Sequence, residues 1–113
     1  MKKLFLILLC FGASTAFAQK KKASGAIDAT KPVSTVEVSC GQCQFKLPGE
    51  GCDLAVRIGE NSFYIDGTGI NDHGDAHAKE GFCNAVRKAE VQGELENDRY
   101  KVTYFKLLPA AKN

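Results

Sequence analysis

The chain has 113 residues, a quarter of them charged, and a formal net charge of +2 at pH 7. This length allows one small domain, and a charge so close to zero gives no electrostatic footprint for nucleic acid. Loss of Lys2 and Lys3 with an export signal would leave as many basic as acidic residues. We therefore exclude nucleic acid as a partner of the mature protein.

The first residues have the three-part pattern of a cleavable secretory signal peptide. A basic start at residues 1–3 is followed by an apolar run at residues 4–11 and a small-x-small cleavage site at residues 16–18. The apolar run is too short to form a stable membrane span. We predict a signal peptide over residues 1–18, which would also remove Cys10, and export to the periplasm or the extracellular space.

The next segment, residues 19–32, contains small, polar and basic residues without a periodic apolar pattern, so we predict a flexible linker. The single folded domain would then extend over residues 33–113. A domain of this size buries too small a core to be very stable by itself. Disulfides, a bound metal ion, or both are therefore expected to hold it together.

Alternation of apolar and polar residues predicts five strands. The first covers residues 36–47, with a bulge at residues 41–42 that would correct a change in the phase of the alternation. One hairpin is predicted over residues 54–65 and a second over residues 89–107. Each contains a polar or glycine-containing turn.

Only the middle of the domain interrupts this alternation. Residues 75–80 have the composition of a short helix, which Gly81 would end. The order of strand, hairpin, helix and hairpin predicts a mainly β fold, a small antiparallel five-stranded sheet with one short helix. An OB-like barrel fits this order, and the alternative is an open antiparallel sheet with the helix packed on it.

Four cysteines would remain in the mature chain: Cys40, Cys43, Cys52 and Cys83. An even number in an exported chain is typical of disulfides, and three pairings are open. Cys40 and Cys43 form a CxxC motif, which can be a redox pair, part of a disulfide framework or a pair of metal ligands. Gln44 stands where haem attachment needs histidine. The β-patterned surroundings argue against thioredoxin-like chemistry, which places such a motif at the start of a helix.

His73 and His77 are four residues apart, so on a helix they would share one face and reach one ion. Together with the CxxC motif they supply the ligand types of a tetrahedral zinc site. We predict a zinc or copper ion held by four side chains, namely Cys40, Cys43, His73 and His77. The alternative is that residues 71–75 form a polar loop with a helix cap.

The motifs resemble those of a family of small exported bacterial proteins that is catalogued only as a domain of unknown function. The resemblance lies in five segments: residues 40–45 (CGQCQF), 51–56 (GCDLAV), 72–77 (DHGDAH), 81–83 (GFC) and 91–93 (VQG). It covers almost the whole mature domain. It implies that the DHGDAH block and the cysteines belong to one recurrent unit, and it supplies no activity.

Three functional hypotheses follow. The first is an exported β domain that binds a transition metal, and the second is a disulfide-stapled module that acts through an unidentified protein partner. The third is a thiol–disulfide redox protein that uses the Cys40–Cys43 pair. The chain contains neither a GxSxG elbow nor a phosphate-binding GxxxxGK[ST] loop. An enzyme is therefore not favoured, and we assign no catalytic residue.

Overall fold

The computed structural model describes residues 25–111. The predicted signal peptide at residues 1–18, Cys10, and the first part of the predicted linker lie outside the described residues. The domain boundaries therefore stay predictions. Within residues 25–111, no helix has both the length and the apolar character needed to cross a bilayer.

Strands dominate the described part of the chain. The elements are β1 (Ser34–Cys40), α1 (Gly41–Gln44), β2 (Leu54–Ile58), β3 (Asn61–Asp66), β4 (Arg87–Glu96) and β5 (Arg99–Leu107). The strands close into a barrel in the order β1-β2-β3-β5-β4. This confirms the mainly β class, the five strands and both hairpins, while the OB-like label stays a prediction.

One strand pair departs from the predicted antiparallel arrangement. β3 and β5 run parallel, with Ile65 opposite Tyr100, whereas the other four pairs are antiparallel. The reason is the crossover segment, residues 67–86, which leads from β3 to β4 beside β1. The hairpin partner β5 then lies next to β3 and runs in the same direction.

The alternating apolar side chains form one core inside the barrel. Its buried members are Val38, Leu54, Val56, Ile65, Phe82, Ala89, Val91, Tyr100, Val102 and Phe105. A register shift between Gln92 and Gly93 leaves Thr103 without a Cα partner in β4. This irregularity explains why Val102 and Phe105 both face the core although they are three residues apart. Burial of such apolar surface is the main favourable contribution to folding.

A buried glutamine joins the start of the described chain to the barrel. The side chain of Gln92 accepts a hydrogen bond from the backbone N–H of Asp28 at 2.8 Å. It also donates to the carbonyl oxygens of Asp28 at 2.7 Å and Lys31 at 2.9 Å. The last residues of the predicted linker are thus bound to β4 through hydrogen bonds to one side chain.

The predicted continuation of the first strand is wrong. β1 ends at Cys40, and the four residues that follow form the single helical turn α1. Gly41 is buried so tightly that an added Cβ would lie 2.7 Å from Cε1 of Tyr64. Lys46 has a positive φ of 59°, which is incompatible with a strand. The alternation of residues 43–47 therefore belongs to a turn and a loop.

The predicted helix over residues 75–80 is also wrong, because this segment consists of turns. The carboxylate of Asp75 accepts the N–H of His77 at 2.9 Å, and the N–H of Ala78 bonds to the carbonyl of Asp75. Such bonds compete with the helical i to i−4 pattern. The N–H of Cys83 then returns to the carbonyl of Ala76 at 3.0 Å, which folds the segment back on itself.

Candidate metal centre

The four cysteines of the described residues meet at the end of β1. The sulfur atoms of Cys40, Cys43, Cys52 and Cys83 all lie within 4.8 Å of one another. We call this group the sulfur cluster. Its members come from four different parts of the fold, namely β1, α1, the loop that precedes β2, and the crossover segment.

Backbone hydrogen bonds bring these four parts together. The N–H of Cys40 donates to the carbonyl of Phe82 at 3.0 Å, which fixes the crossover segment beside the end of β1. The N–H of Gly41 donates to the carbonyl of Asp53 at 2.8 Å, which fixes the loop that carries Cys52. The first bond therefore joins β1, and the second joins α1, to a segment that supplies another sulfur atom.

Ser39 strengthens the first of these connections. Its side chain is completely buried, and its hydroxyl lies 2.6 Å from the carbonyl oxygen of Phe82 and 2.7 Å from that of Ala85. These carbonyls lie on either side of Cys83 in the chain. Ser39 thus holds the Cys83 turn against the barrel.

The two glutamines of the CGQCQ motif hold neighbouring segments in place through hydrogen bonds of their side-chain amides. The amide of Gln42 accepts the N–H of Asp53 at 2.8 Å and donates to the Asp53 carboxylate at 2.7 Å. The amide of Gln44 donates to the carbonyl of Cys83 at 2.9 Å. One glutamine therefore positions the Cys52 loop and the other positions the Cys83 turn. Sequence analysis missed both roles, although two amide side chains on either side of Cys43 are a signal that could have been used.

The sulfur atoms are not equivalent. The sulfur atoms of Cys40 and Cys52 lie at disulfide distance, with a Cα–Cα distance of 5.5 Å, while Cys43 and Cys83 are not paired in this way. The sulfur of Cys83 lies 3.1 Å from that of Cys52. Burial raises the pKa of the Cys83 thiol, and the neighbouring Cys43 raises it further. The Cys83 sulfur is therefore close enough to the Cys40–Cys52 pair for thiol–disulfide exchange.

The dimensions of the sulfur cluster suit a single ion. Zinc binds thiolate sulfur at about 2.3 Å, so a regular tetrahedron places its sulfur ligands about 3.8 Å apart. Mutual distances of at most 4.8 Å therefore require only small side-chain movements to surround one ion. All four sulfur atoms would have to be thiolates, so the Cys40–Cys52 bond must be open for an ion to bind.

His73 lies in the crossover segment and packs on the barrel core. Its ring stacks on Phe105 at a centroid distance of 4.3 Å and meets the ring of Phe82 edge-on. Its Nε2 is 2.8 Å from the hydroxyl of Thr68. Burial lowers the pKa of His73, and the negative charge of Asp72 opposes this shift.

His77, in contrast, points into solvent. Its side chain is 85% exposed, and Nδ1 lies 4.0 Å from the Asp75 carboxylate. Neither histidine belongs to the sulfur cluster, so the structure separates the predicted ligand set into two cysteines that meet and two histidines that lie elsewhere. The prediction needed a helix to align the histidines, and the segment forms turns. The sequence pattern also does not show that the loop before β2 and the crossover segment bring Cys52 and Cys83 close to Cys40.

The comparison with known families agrees with the resemblance in the sequence motifs. A family model described as a family of unknown function, DUF6370, matches residues 34–108. The chain belongs to this family. The match runs from the start of β1 through the end of β5, so the DUF6370 domain includes the barrel, the crossover segment and all four cysteines. No curated protein and no solved structure matches the chain.

Proposed function

We propose that this DUF6370 domain is an exported β barrel that binds one soft transition metal ion through Cys40, Cys43, Cys52 and Cys83. The observation that carries the proposal is the convergence of four sulfur atoms from four separate parts of the fold. Compared with the ligand set inferred from the sequence, Cys52 and Cys83 replace the two histidines.

The ligand chemistry favours zinc. Thiolates select zinc and copper(I) over hard cations such as magnesium and calcium, and four-sulfur tetrahedral sites are typical of structural zinc. Four protein ligands leave no open position for a substrate. The site would therefore hold its ion and not use it in catalysis. Copper(I) is the second candidate, since thiolates bind it as well.

Binding at this site would also stabilise the fold. One ion would connect β1, α1, the loop before β2 and the crossover segment, in addition to the hydrogen bonds of Ser39, Gln42 and Gln44. Because an assembled site does not exist in the unfolded chain, its binding free energy contributes to the free energy of folding.

The Cys40–Cys52 pair supports a second candidate, a disulfide-stapled module that contacts a protein partner. The barrel would then be held by this bond without an ion. A redox function of the Cys40–Cys43 pair has less support, because Cys40 pairs with Cys52. The CxxC motif does begin a helical turn, as the redox function requires, but the turn covers only Gly41–Gln44.

Elemental analysis of the reduced, untagged domain after zinc loading and desalting tests the proposal. We expect one zinc per chain. The variants Cys52→Ser and Cys83→Ser should lose the ion, whereas His73→Ala and His77→Ala should retain it. A wild-type protein with four titratable thiols and no zinc would contradict the proposal. Loss of zinc only in the histidine variants would favour the mixed Cys and His ligand set.

A further inference from the structure

Exposure differs in a graded way across the sulfur cluster. Cys43 is exposed, Cys52 and Cys83 are half-buried, and Cys40 is completely buried. An external disulfide can therefore approach Cys43 most easily, yet the disulfide pair within the cluster is Cys40–Cys52. The most protected sulfur atom thus belongs to the pair that lies at disulfide distance, and the most accessible one does not.

We propose that the sulfur cluster is a redox-controlled metal site, in which an external disulfide attacked by Cys43 leads to a Cys40–Cys52 bond and release of the ion. The inference rests on the proposed metal binding and adds its regulation. The co-reactant is any accessible disulfide, either a small molecule or a protein.

The bond can move inward through four exchange steps. The Cys43 thiolate attacks the external disulfide, forms a mixed disulfide and expels one thiolate of the co-reactant. Cys83 attacks the Cys43 sulfur and expels the second thiolate. Cys52 then attacks Cys83 and frees Cys43, and Cys40 attacks Cys52 and frees Cys83. Two electrons have passed from Cys40 and Cys52 to the external disulfide, which becomes two thiols.

The distances permit each step. Thiol–disulfide exchange proceeds by attack of one sulfur on another through a mixed disulfide, so neighbouring sulfur atoms are required. Cys52 and Cys83 are 3.1 Å apart, and no pair in the sulfur cluster exceeds 4.8 Å. The result joins Cys40 and Cys52, the two residues whose sulfur atoms lie at disulfide distance, and leaves Cys43 and Cys83 as thiols.

Oxidation and metal binding would exclude each other at this site. Sulfur binds metal as thiolate, and the two atoms of a disulfide are no longer thiolates. After oxidation only Cys43 and Cys83 remain as ligands, which is two fewer than a closed zinc site needs. The ion would leave, and reduction of the Cys40–Cys52 bond would restore the site.

Metal release is tested by adding oxidised glutathione to the zinc-loaded domain in the presence of a zinc-sensitive dye. We expect one equivalent of zinc to appear as the Cys40–Cys52 bond forms, with the pairing identified by peptide mapping. Formation of the bond with full retention of zinc would overturn the inference. A domain that never takes up zinc would overturn the proposed function. The exchange steps through Cys43 are then tested by themselves, in the metal-free protein.

The route through Cys43 is tested without metal, so that loss of a ligand has no influence. Cys43→Ser should slow formation of the Cys40–Cys52 bond by about tenfold or more, because access limits exchange. In Cys83→Ser, glutathione should stay on Cys43 for longer than in the wild type, because Cys40 or Cys52 must then attack the Cys43 sulfur directly. The exposed variant His77→Ala should react at the wild-type rate. A Cys43→Ser variant as fast as the wild type, or glutathione trapped on Cys52, would overturn the route of exchange through Cys43.

Discussion

The surroundings of His73 disfavour its protonated form and lower its pKa. Its ring lies between Phe82 and Phe105, and Thr68 occupies its Nε2. Burial of the ring disfavours the charged imidazolium, which lowers the pKa of His73 from 6.5 although the negative charge of Asp72 opposes the shift. The sequence predicts a metal ligand at this position, and the structure places the ring against the core. Its packing depends on the path of the crossover segment, which alternation patterns do not describe.

The first prediction concerns the pH dependence of stability. Because the pKa of His73 is lower in the folded state, the unfolded chain takes up a proton first as the pH falls. The contribution of His73 is complete above pH 6.5 and is lost as the pH falls through the folded pKa. Urea unfolding of the metal-free protein between neutral and mildly acidic pH should therefore show a loss that His73→Gln lacks. The exposed variant His77→Gln should keep the wild-type slope, and identical slopes in all three proteins would contradict the assignment.

Ser39 gives a second prediction at the residue scale. Ser39→Ala leaves the carbonyl oxygens of Phe82 and Ala85 without their buried hydroxyl partner. The free energy of unfolding should fall by about 1–3 kcal/mol, and zinc affinity should fall because the Cys83 turn is loosened. Ser34→Ala is the matched control, since Ser34 is an exposed serine of the same strand. An unchanged unfolding midpoint and zinc affinity in Ser39→Ala would show that the hydroxyl is not needed.

At the scale of elements, alternation identified both hairpins. The observed hairpins extend beyond the predicted ranges by only one residue, at Asp66, and by two residues, at Arg87. The prediction failed where local hydrogen bonds override composition, at residues 43–47 and 75–80. The side chains of Gln42 and Gln44 bond there to the Cys52 loop and the Cys83 turn, whereas the Asp75 carboxylate accepts the N–H of His77 two residues along. The glutamine bonds depend on tertiary contacts, and a pattern of apolar residues describes neither kind of bond.

The crossover segment gives a third prediction. Gly81 contacts the backbone carbonyls of Asp75 and Ala76 so closely that a Cβ would collide with them. Gly81→Ala should therefore displace the nearby Cys83 and lower the free energy of unfolding by about 1–3 kcal/mol. Gly69→Ala is the control, because its Cβ would lie 3.4 Å from the Asp72 carboxylate in ordinary contact. Thermal unfolding and zinc affinity are the measurements, and equal values for both variants would refute this account of the segment.

At the scale of the whole molecule, the sulfur cluster lies at the end of β1 and joins parts of the chain outside the strands to a small barrel. The barrel buries a single core, and the crossover segment adds Phe82 to it and Cys83 to the sulfur cluster. The need for a covalent or metal staple could be predicted from size and cysteine number. The membership of the sulfur cluster could not, because it depends on the barrel closure that brings β1 between β2 and β4.

X-ray absorption at the zinc edge of the reduced, zinc-loaded domain tests the central claim most directly. It reports the type, number and distance of the atoms bound to the ion. The proposed site predicts four sulfur atoms at about 2.3 Å. A first shell of two sulfur and two nitrogen atoms would contradict it and restore His73 and His77 as ligands.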